Sequence, residues 1–352
     1  MKLNLSQEDY DALVDYLSEC QHDPELFVKL SFPWGEPDTL LEDKTGPEKW
    51  QLEILREIKA GTKSVDTAIR EAVASGHGIG KSAMVSWLIL WAIGTCSDTR
   101  GVVTANTETQ LRTKTWAELG KWYNMWIAKP LFTYTATSIF CNADGAEKTW
   151  RIDAIPWNET SPEAFAGLHN QGNRILVIFD EASAIHNIIW EVTEGALTDA
   201  DTEIIWCCFG NPTRSSGRFY DCFHSQRDLW HCRRVDSRSV SFTNKAQIEI
   251  WRKLYGEDSD FFKVRVRGEF PSASDKQYIS QDIVDEARKR VLKPYQYNFA
   301  PVIIGVDPAW TGADKICAYL RQGNYSKLLF EYPKNDNDLQ LAGKIAALED
   351  EY

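Results

Sequence analysis

The sequence predicts an α/β protein with a mostly parallel, doubly wound sheet, and three observations carry that expectation. A short stretch, Ala68–Ala74, runs into a glycine-rich turn and then into an apolar segment of helical length. A nearly continuous β-branched run, Arg174–Phe179, lacks polar alternation and so suits a strand covered on both faces. A third apolar run, Thr202–Phe209, follows further along the chain. Strand, helix, strand order argues for parallel strands joined by crossovers.

Composition sets the frame. The chain has 352 residues, 43% hydrophobic and 26% charged, as in an ordinary globular protein of about two domains. Its formal net charge of -12 is not that of a protein that coats nucleic acid statically, although a motor needs only a local track of donors. Eight cysteines are scattered without a CxxC pair, and no signal peptide opens the chain, which points to a reduced cytoplasmic setting. The longest apolar run, Trp87–Ile93, is too short to span a bilayer, so no membrane partner is expected. Cys222, His224, His231 and Cys232 form the one set worth weighing as a zinc site, but their CxH…HC spacing matches no compact zinc knuckle, and packing is the preferred reading.

The strand at Ala68–Ala74 leads into Ser75-Gly76-His77-Gly78-Ile79-Gly80-Lys81-Ser82, and AMVSWLILWAI continues as a helix. Strand, glycine turn and helix together are the context of a phosphate-binding Walker A motif, the signature of P-loop NTPases. Glycines let backbone N–H groups curl around phosphate oxygens, and the helix N-terminus adds partial positive charge. Lys81 is then the contact to the β- and γ-phosphates of ATP, and the Ser82 hydroxyl a ligand of Mg²⁺. Ser75 departs from the pattern, which has glycine there; the alternative is a glycine turn with a chance GKS.

Arg100–Ala105 predicts the next strand and Thr107–Met125 a helix, with Thr137–Cys141 and Thr149–Ile155 as an inserted hairpin. The Arg174–Phe179 strand ends in Asp180-Glu181. Ligands of open α/β sheets lie beyond the carboxyl ends of strands, so this pair faces the glycine turn. Asp180 is expected to hold Mg²⁺ through water and Glu181 to orient the attacking water, against the plainer role of a helix cap. Thr202–Phe209 ends at Gly210-Asn211-Pro212-Thr213.

Taken in order, SFPWGEP, GPEKWQLEIL, ASGHGIGKS, VTANTETQLRTKTW, SPEAFAGLH, RILVIFDEAS, GNPTRSSGRFY and IIGVDPAWTGAD resemble the large terminase subunits of tailed phages, across the whole chain. The resemblance implies ATP hydrolysis driving double-stranded DNA into a procapsid, in a homo-oligomeric ring, with a portal protein and a terminase small subunit as partners, in the host cytoplasm. It places an adenine-reading Q motif at Trp50-Gln51 and a γ-phosphate sensor at Asn211 or Thr213. Some relatives carry an arginine finger in an apolar-Arg-Gly element; the matching place here is Phe165-Ala166-Gly167, which leaves Arg112, Arg174, Arg214 and Arg218 as candidates.

Toward the C-terminus, Pro301–Val306 and a strand near Ile316–Leu320 resemble the opening of an RNase H-like nuclease, with Asp307 at its first metal position and Asp314 in a nearby turn. One carboxylate cannot clamp two ions, so an early-ended nuclease without DNA cleavage is expected. The resulting organisation is an N-terminal helical region (1–66), a P-loop ATPase core (67–236), a small subdomain and linker (237–295) and a partial nuclease (301–352). Two rivals stand beside the packaging motor: a non-catalytic remnant that binds nucleotide or a partner only, and a helicase-like P-loop ATPase, for which no second motor half is visible.

Overall fold

The computed structural model describes residues 6–62, 65–157, 168–272, 287, 289–308, 315–333 and 338–352. They belong to two compact units, Met1–Tyr278 and Ile279–Tyr352. In the first unit, eight strands form one sheet: β1 (Ile69–Ser75), β2 (Arg100–Thr104), β3 (Phe132–Tyr134), β4 (Ser138–Cys141), β5 (Arg151–Ala154), β6 (Arg174–Asp180), β7 (Glu203–Gly210) and β8 (His231–Val235). Their order is β3-β4-β5-β2-β6-β7-β1-β8. Every pairing from β5 through β8 is parallel, while β4 runs antiparallel to both its neighbours. The mostly parallel α/β sheet expected from the sequence is the one observed. β4 and β5 are the expected hairpin; β3 adds a three-residue edge too short to leave a periodic signal.

Strand side chains alternate between two cores, as the two-residue period requires. Along β6, Leu176 and Ile178 enter one core and Ile175, Val177 and Phe179 the other; along β7, Ile205, Cys207 and Phe209 oppose Ile204, Trp206 and Cys208. The first core is completed by α1 (Gln7–Glu19), α2 (Pro24–Ser31), α3 (Lys49–Gly61) and α4 (Lys81–Thr95). α4 is buried continuously from Met84 to Thr95, so it has no polar face and serves as the central helix under the sheet. Leu17, Phe27, Ile54 and Leu55 share this core with Val73 and Leu88, so the N-terminal helices are packed into the sheet unit. On the other face, Trp190 and Trp206 pack with Phe179 and Trp230, ring centroids 4.9 to 6.0 Å apart.

The helix expected over Thr107–Met125 is helical from Glu108 to Met125, but Leu111–Trp116 is π-helical, an irregularity often found at functional sites. Arg174, one of the arginines left open as a phosphate contact, is fully buried at the start of β6. It pairs with Glu203, donates to Thr95 Oγ1 at 2.8 Å and Gln21 O at 2.7 Å, and lies 4.1 Å from the centroid of Trp91. That is the end of β6 remote from Asp180, so Arg174 ties the core together and cannot reach phosphate. Arg112 and Arg218 are paired with Glu108 and Glu194 respectively; Arg214 is exposed.

The second unit holds β9 (Val302–Asp307), β10 (Lys315–Gln322) and β11 (Tyr325–Pro333) in an antiparallel sheet of order β11-β10-β9, and a helix at Asp338–Glu351. Asp307 closes β9 opposite Cys317 and is exposed. Asp314 and Phe165-Ala166-Gly167 lie outside the described residues. Among the described residues no helix is long and apolar enough to cross a membrane.

Candidate active site

β1, β6 and β7 are parallel neighbours in the middle of the sheet, with β7 between the other two, so their carboxyl ends open on one edge. The glycine turn leaves β1 there, Asp180-Glu181 leaves β6 and Asn211 leaves β7.

Three glycines of the turn are required for different reasons. Gly78 and Gly80 have φ of +72° and +86°, a left-handed backbone that costs a β-carbon dearly. Gly76 is set by space: a β-carbon there would run into Ser237 Oγ and the Val266 carbonyl. The N–H groups of Gly76 and His77 donate to Val235 O (3.0 Å) and Arg265 O (2.8 Å), which anchors the root of the turn. α4 then starts at Lys81 with Gly80 as its N-cap, and Met84 N–H donates to Gly80 O at 3.2 Å. The N–H groups of Lys81, Ser82 and Ala83 precede that bond, so they lie at the positive end of the helix dipole.

Lys81 Nζ lies 3.1 Å from Ser75 Oγ, so the serine that departs from the sequence pattern receives the lysine. Burial holds the Lys81 ammonium below its ordinary pKa, and the nearby carboxylates of Glu181 and Asp180 oppose that shift. Asp180 is buried and its carboxyl is pushed up, first by burial. Thr115 Oγ1 donates to Asp180 Oδ2 at 2.5 Å, and Glu181 N–H donates to Asp180 Oδ1 at 3.0 Å. Glu181 itself has φ of +53°, unusual for a side chain of its type. Such backbone strain persists where surrounding structure fixes it, and functional sites are where it concentrates.

Asn211 is buried, and its Nδ2 donates to Ser75 O at 2.6 Å, gripping the root of the turn. Thr213 N–H donates to Ser183 Oγ at 3.2 Å, which joins the loop after β7 to the one after β6. Gln51 is buried; its Oε1 accepts from Glu48 N–H at 2.8 Å and its Nε2 donates to Gly80 O at 3.2 Å. Trp50 Nε1 donates to Ile79 O at 3.2 Å. The pair therefore steadies the turn from α3.

The structure thus brings Gly76 to Ser82, Asp180, Glu181, Asn211 and Gln51 into one neighbourhood; Asp307 belongs to the other unit. Thr115 was not singled out by sequence, because a threonine inside a helical run carries no signal; the irregular helix that aims it is visible only in three dimensions. The cysteine and histidine side chains take separate partners: Cys232 Sγ donates to Cys222 O at 2.9 Å, His224 stacks on Tyr220 and His231 pairs with Glu71. Among the described residues no group of three His, Cys, Asp or Glu side chains could hold a metal alone. A site for Mg²⁺ does not require such a set. That ion keeps several waters and takes one or two protein oxygens beside phosphate.

A mainly parallel α/β sheet with a glycine turn at one strand–helix junction and an acidic pair two strands away is the class these residues define. Over 292 residues the chain is 30% identical to a probable terminase large subunit of Enterobacteria phage P7, and is a relative of the phage large terminases. That match covers 78% of this chain and 56% of the relative, so the chain spans little more than half of its length. No family model matches the chain. Among solved structures, the large terminase of a thermophilic bacteriophage is similar with a TM-score of 0.47 and 13% identity, over 86% of this chain and 74% of that one. The large terminase ATPase domain of Thermus phage P74-26 gives a TM-score of 0.44 and 18% identity over 64% and 94%.

Proposed function

We propose that this chain is the ATP-hydrolysing motor portion of a phage DNA-packaging terminase. The observation that supports it most is the meeting of Lys81, Asp180 and a backbone-strained Glu181 at the carboxyl edge of β1, β6 and β7. Lys81 and the first N–H groups of α4 would neutralise the β- and γ-phosphates of ATP. Ser82 and Asp180 would hold Mg²⁺, which supplies charge neutralisation to the phosphates when bound. Glu181 would orient a water and accept its proton as the oxygen attacks the γ-phosphorus. The bond from that phosphorus to the β–γ bridging oxygen breaks, leaving ADP and inorganic phosphate.

Asn211 grips the turn while Thr213 grips the loop of the acidic pair, so departure of the γ-phosphate would be felt by the loop after β7 through both contacts. We assign to that loop the relay from hydrolysis to translocation of double-stranded DNA. The portal protein, the terminase small subunit, a ring of copies and the host cytoplasm follow from the same reading. Asp307 would be the first metal carboxylate of an RNase H-like part, and this chain is expected not to nick plasmid DNA with Mg²⁺ or Mn²⁺; nicking that vanishes in Asp307→Ala would overturn that.

ATP turnover measured with and without double-stranded DNA tests the motor reading. DNA-stimulated hydrolysis is expected. ATP binding without turnover would make the chain a nucleotide-binding remnant, and unwinding of a forked duplex would make it helicase-like.

A further inference from the structure

Beside the glycine turn lies a cavity of about 250 Å³, whose walls include His77, Gly78, Phe242, Asn244, Gln247 and Trp251. His77 and Gly78 belong to the turn, so the cavity adjoins the place where the phosphates of a ligand would sit. Its volume falls below the roughly 300–1,000 Å³ of pockets that enclose drug-sized molecules, which suits one flat ring system better than an entire nucleotide.

The walls are of the kind that take a heterocycle. Phe242 is 47% exposed, a large apolar ring left beside a polar turn. Its ring edge comes within 3.1 Å of where a β-carbon on Gly80 would stand. Lys44 Nζ lies 5.3 Å from the ring centroid. The segment carrying Phe242 is fixed from two sides. Ser241 N–H donates to Glu48 Oε1 at 3.1 Å, and Ser237 Oγ donates to His77 O at 2.7 Å. Asn244 Oδ1 accepts from Gln247 N–H at 3.0 Å and so caps the helix Lys245–Tyr255. The Gln247 side-chain amide has no recorded hydrogen bond to the described residues. The Gln51 amide, by contrast, is bonded through both its oxygen and its nitrogen.

We propose that the base of the bound nucleoside triphosphate enters this cavity, with Phe242 as its stacking surface and Gln247 as the amide that reads its edge. An amide carries both a donor and an acceptor, which matches the paired donor and acceptor of an adenine edge. Stacking on an aromatic ring tolerates any base, so Phe242 sets affinity and Gln247 sets preference. Gln51 then positions the turn by holding the Gly80 carbonyl. The proposal rests on the reading of the turn as a triphosphate site.

Calorimetric titration of the full chain with ATP, GTP and inorganic tripolyphosphate separates the two. Phe242→Ala should weaken ATP about tenfold or more, the usual scale for removing a stacking ring. Tripolyphosphate binding should stay at the wild-type value, and Phe242→Tyr should restore ATP binding. Gln247→Ala should narrow the preference for ATP over GTP. Undiminished ATP binding in Phe242→Ala, or an equal loss of ATP and tripolyphosphate, would overturn the stacking role. An unchanged preference in Gln247→Ala would remove the edge-reading role. Wild-type chain that binds neither ATP nor tripolyphosphate would sink the reading of the turn itself, and the base site with it.

Discussion

Thr115→Val replaces a buried hydroxyl by a methyl of nearly the same shape, at the one side-chain hydrogen-bond donor to the Asp180 carboxylate among the described residues. A hydrogen bond to a charged group contributes about 1.5–3 kcal/mol net. Taking about 2 kcal/mol, at about 1.4 kcal/mol per pKa unit, the Asp180 carboxyl should rise further by roughly one to two units. The sign follows from burial. Asp180 is already raised above its ordinary value in the folded chain, and the Thr115 bond works against that rise. Loss of the bond therefore penalises only the ionised form. Folding of the variant should be weaker by about 2 kcal/mol above the folded pKa, a drop of roughly 4–8 °C in Tm for a unit of this size. The difference should vanish in acid, where both chains hold a protonated Asp180. If Asp180 must be ionised for turnover, the acid limb of the ATPase pH profile should move toward neutrality by the same one to two units. Thermal unfolding across pH and the rate profile test both ends. An equal stability loss at every pH with an unmoved acid limb would mean that Thr115 only fills space.

Lys81→Ala should leave the fold intact and remove ATP turnover, since a charge-assisted phosphate contact contributes about 2–4 kcal/mol in the transition state; wild-type turnover in steady-state assays would refute the phosphate role. Glu181→Gln should keep ATP binding and lower hydrolysis by about 10² or more, and loss of binding by titration would instead make the residue structural. Arg174→Ala should destabilise the chain by about 3–5 kcal/mol, because it strands Glu203 without its buried partner; urea unfolding measures this, and a near-zero effect would contradict the core role. His77 should titrate at about 4 in the nucleotide-free chain, lowered first by desolvation and then by the charges of Lys81, Arg265 and Lys114. Its contribution to stability is present above pH about 6.5 and lost as pH falls through about 4; NMR titration of the imidazole checks the value.

The sheet was legible because strands buried on both faces must be apolar throughout. Arg174–Phe179 and Thr202–Phe209 read as strands for that reason, and they form β6 and β7 nearly residue for residue. α4 was legible through its uninterrupted apolar stretch after the glycines. Arg174 misled for an equally physical cause. A guanidinium in sequence advertises charge and says nothing of where that charge is neutralised, and here Glu203 and several carbonyl and hydroxyl oxygens take it in the core. β3 escaped because three residues give no period.

At the site, the sequence named residue types that hold phosphate but not the contacts that hold those residues. Ser75 reads as a defect in the pattern, yet its hydroxyl lies against the Lys81 ammonium and its carbonyl takes the Asn211 amide. Gly76 reads as suppleness, whereas the space left by Ser237 and Val266 admits no β-carbon. Gln51 reads as the amide of an adenine-reading motif, and in the structure it also accepts from the Glu48 N–H and donates to the Gly80 carbonyl. Apart from Glu48, the N-cap of α3 three residues before Gln51, each of these partners lies remote in sequence or on a different element. The rigidity of the turn is thus a tertiary property: α3, the end of β7 and the segments around Ser237 and Val266 each fix one point of it. A turn so clamped can change shape only by moving those segments as well, and that is the physical route by which occupancy of the phosphate site would reach the rest of the first unit.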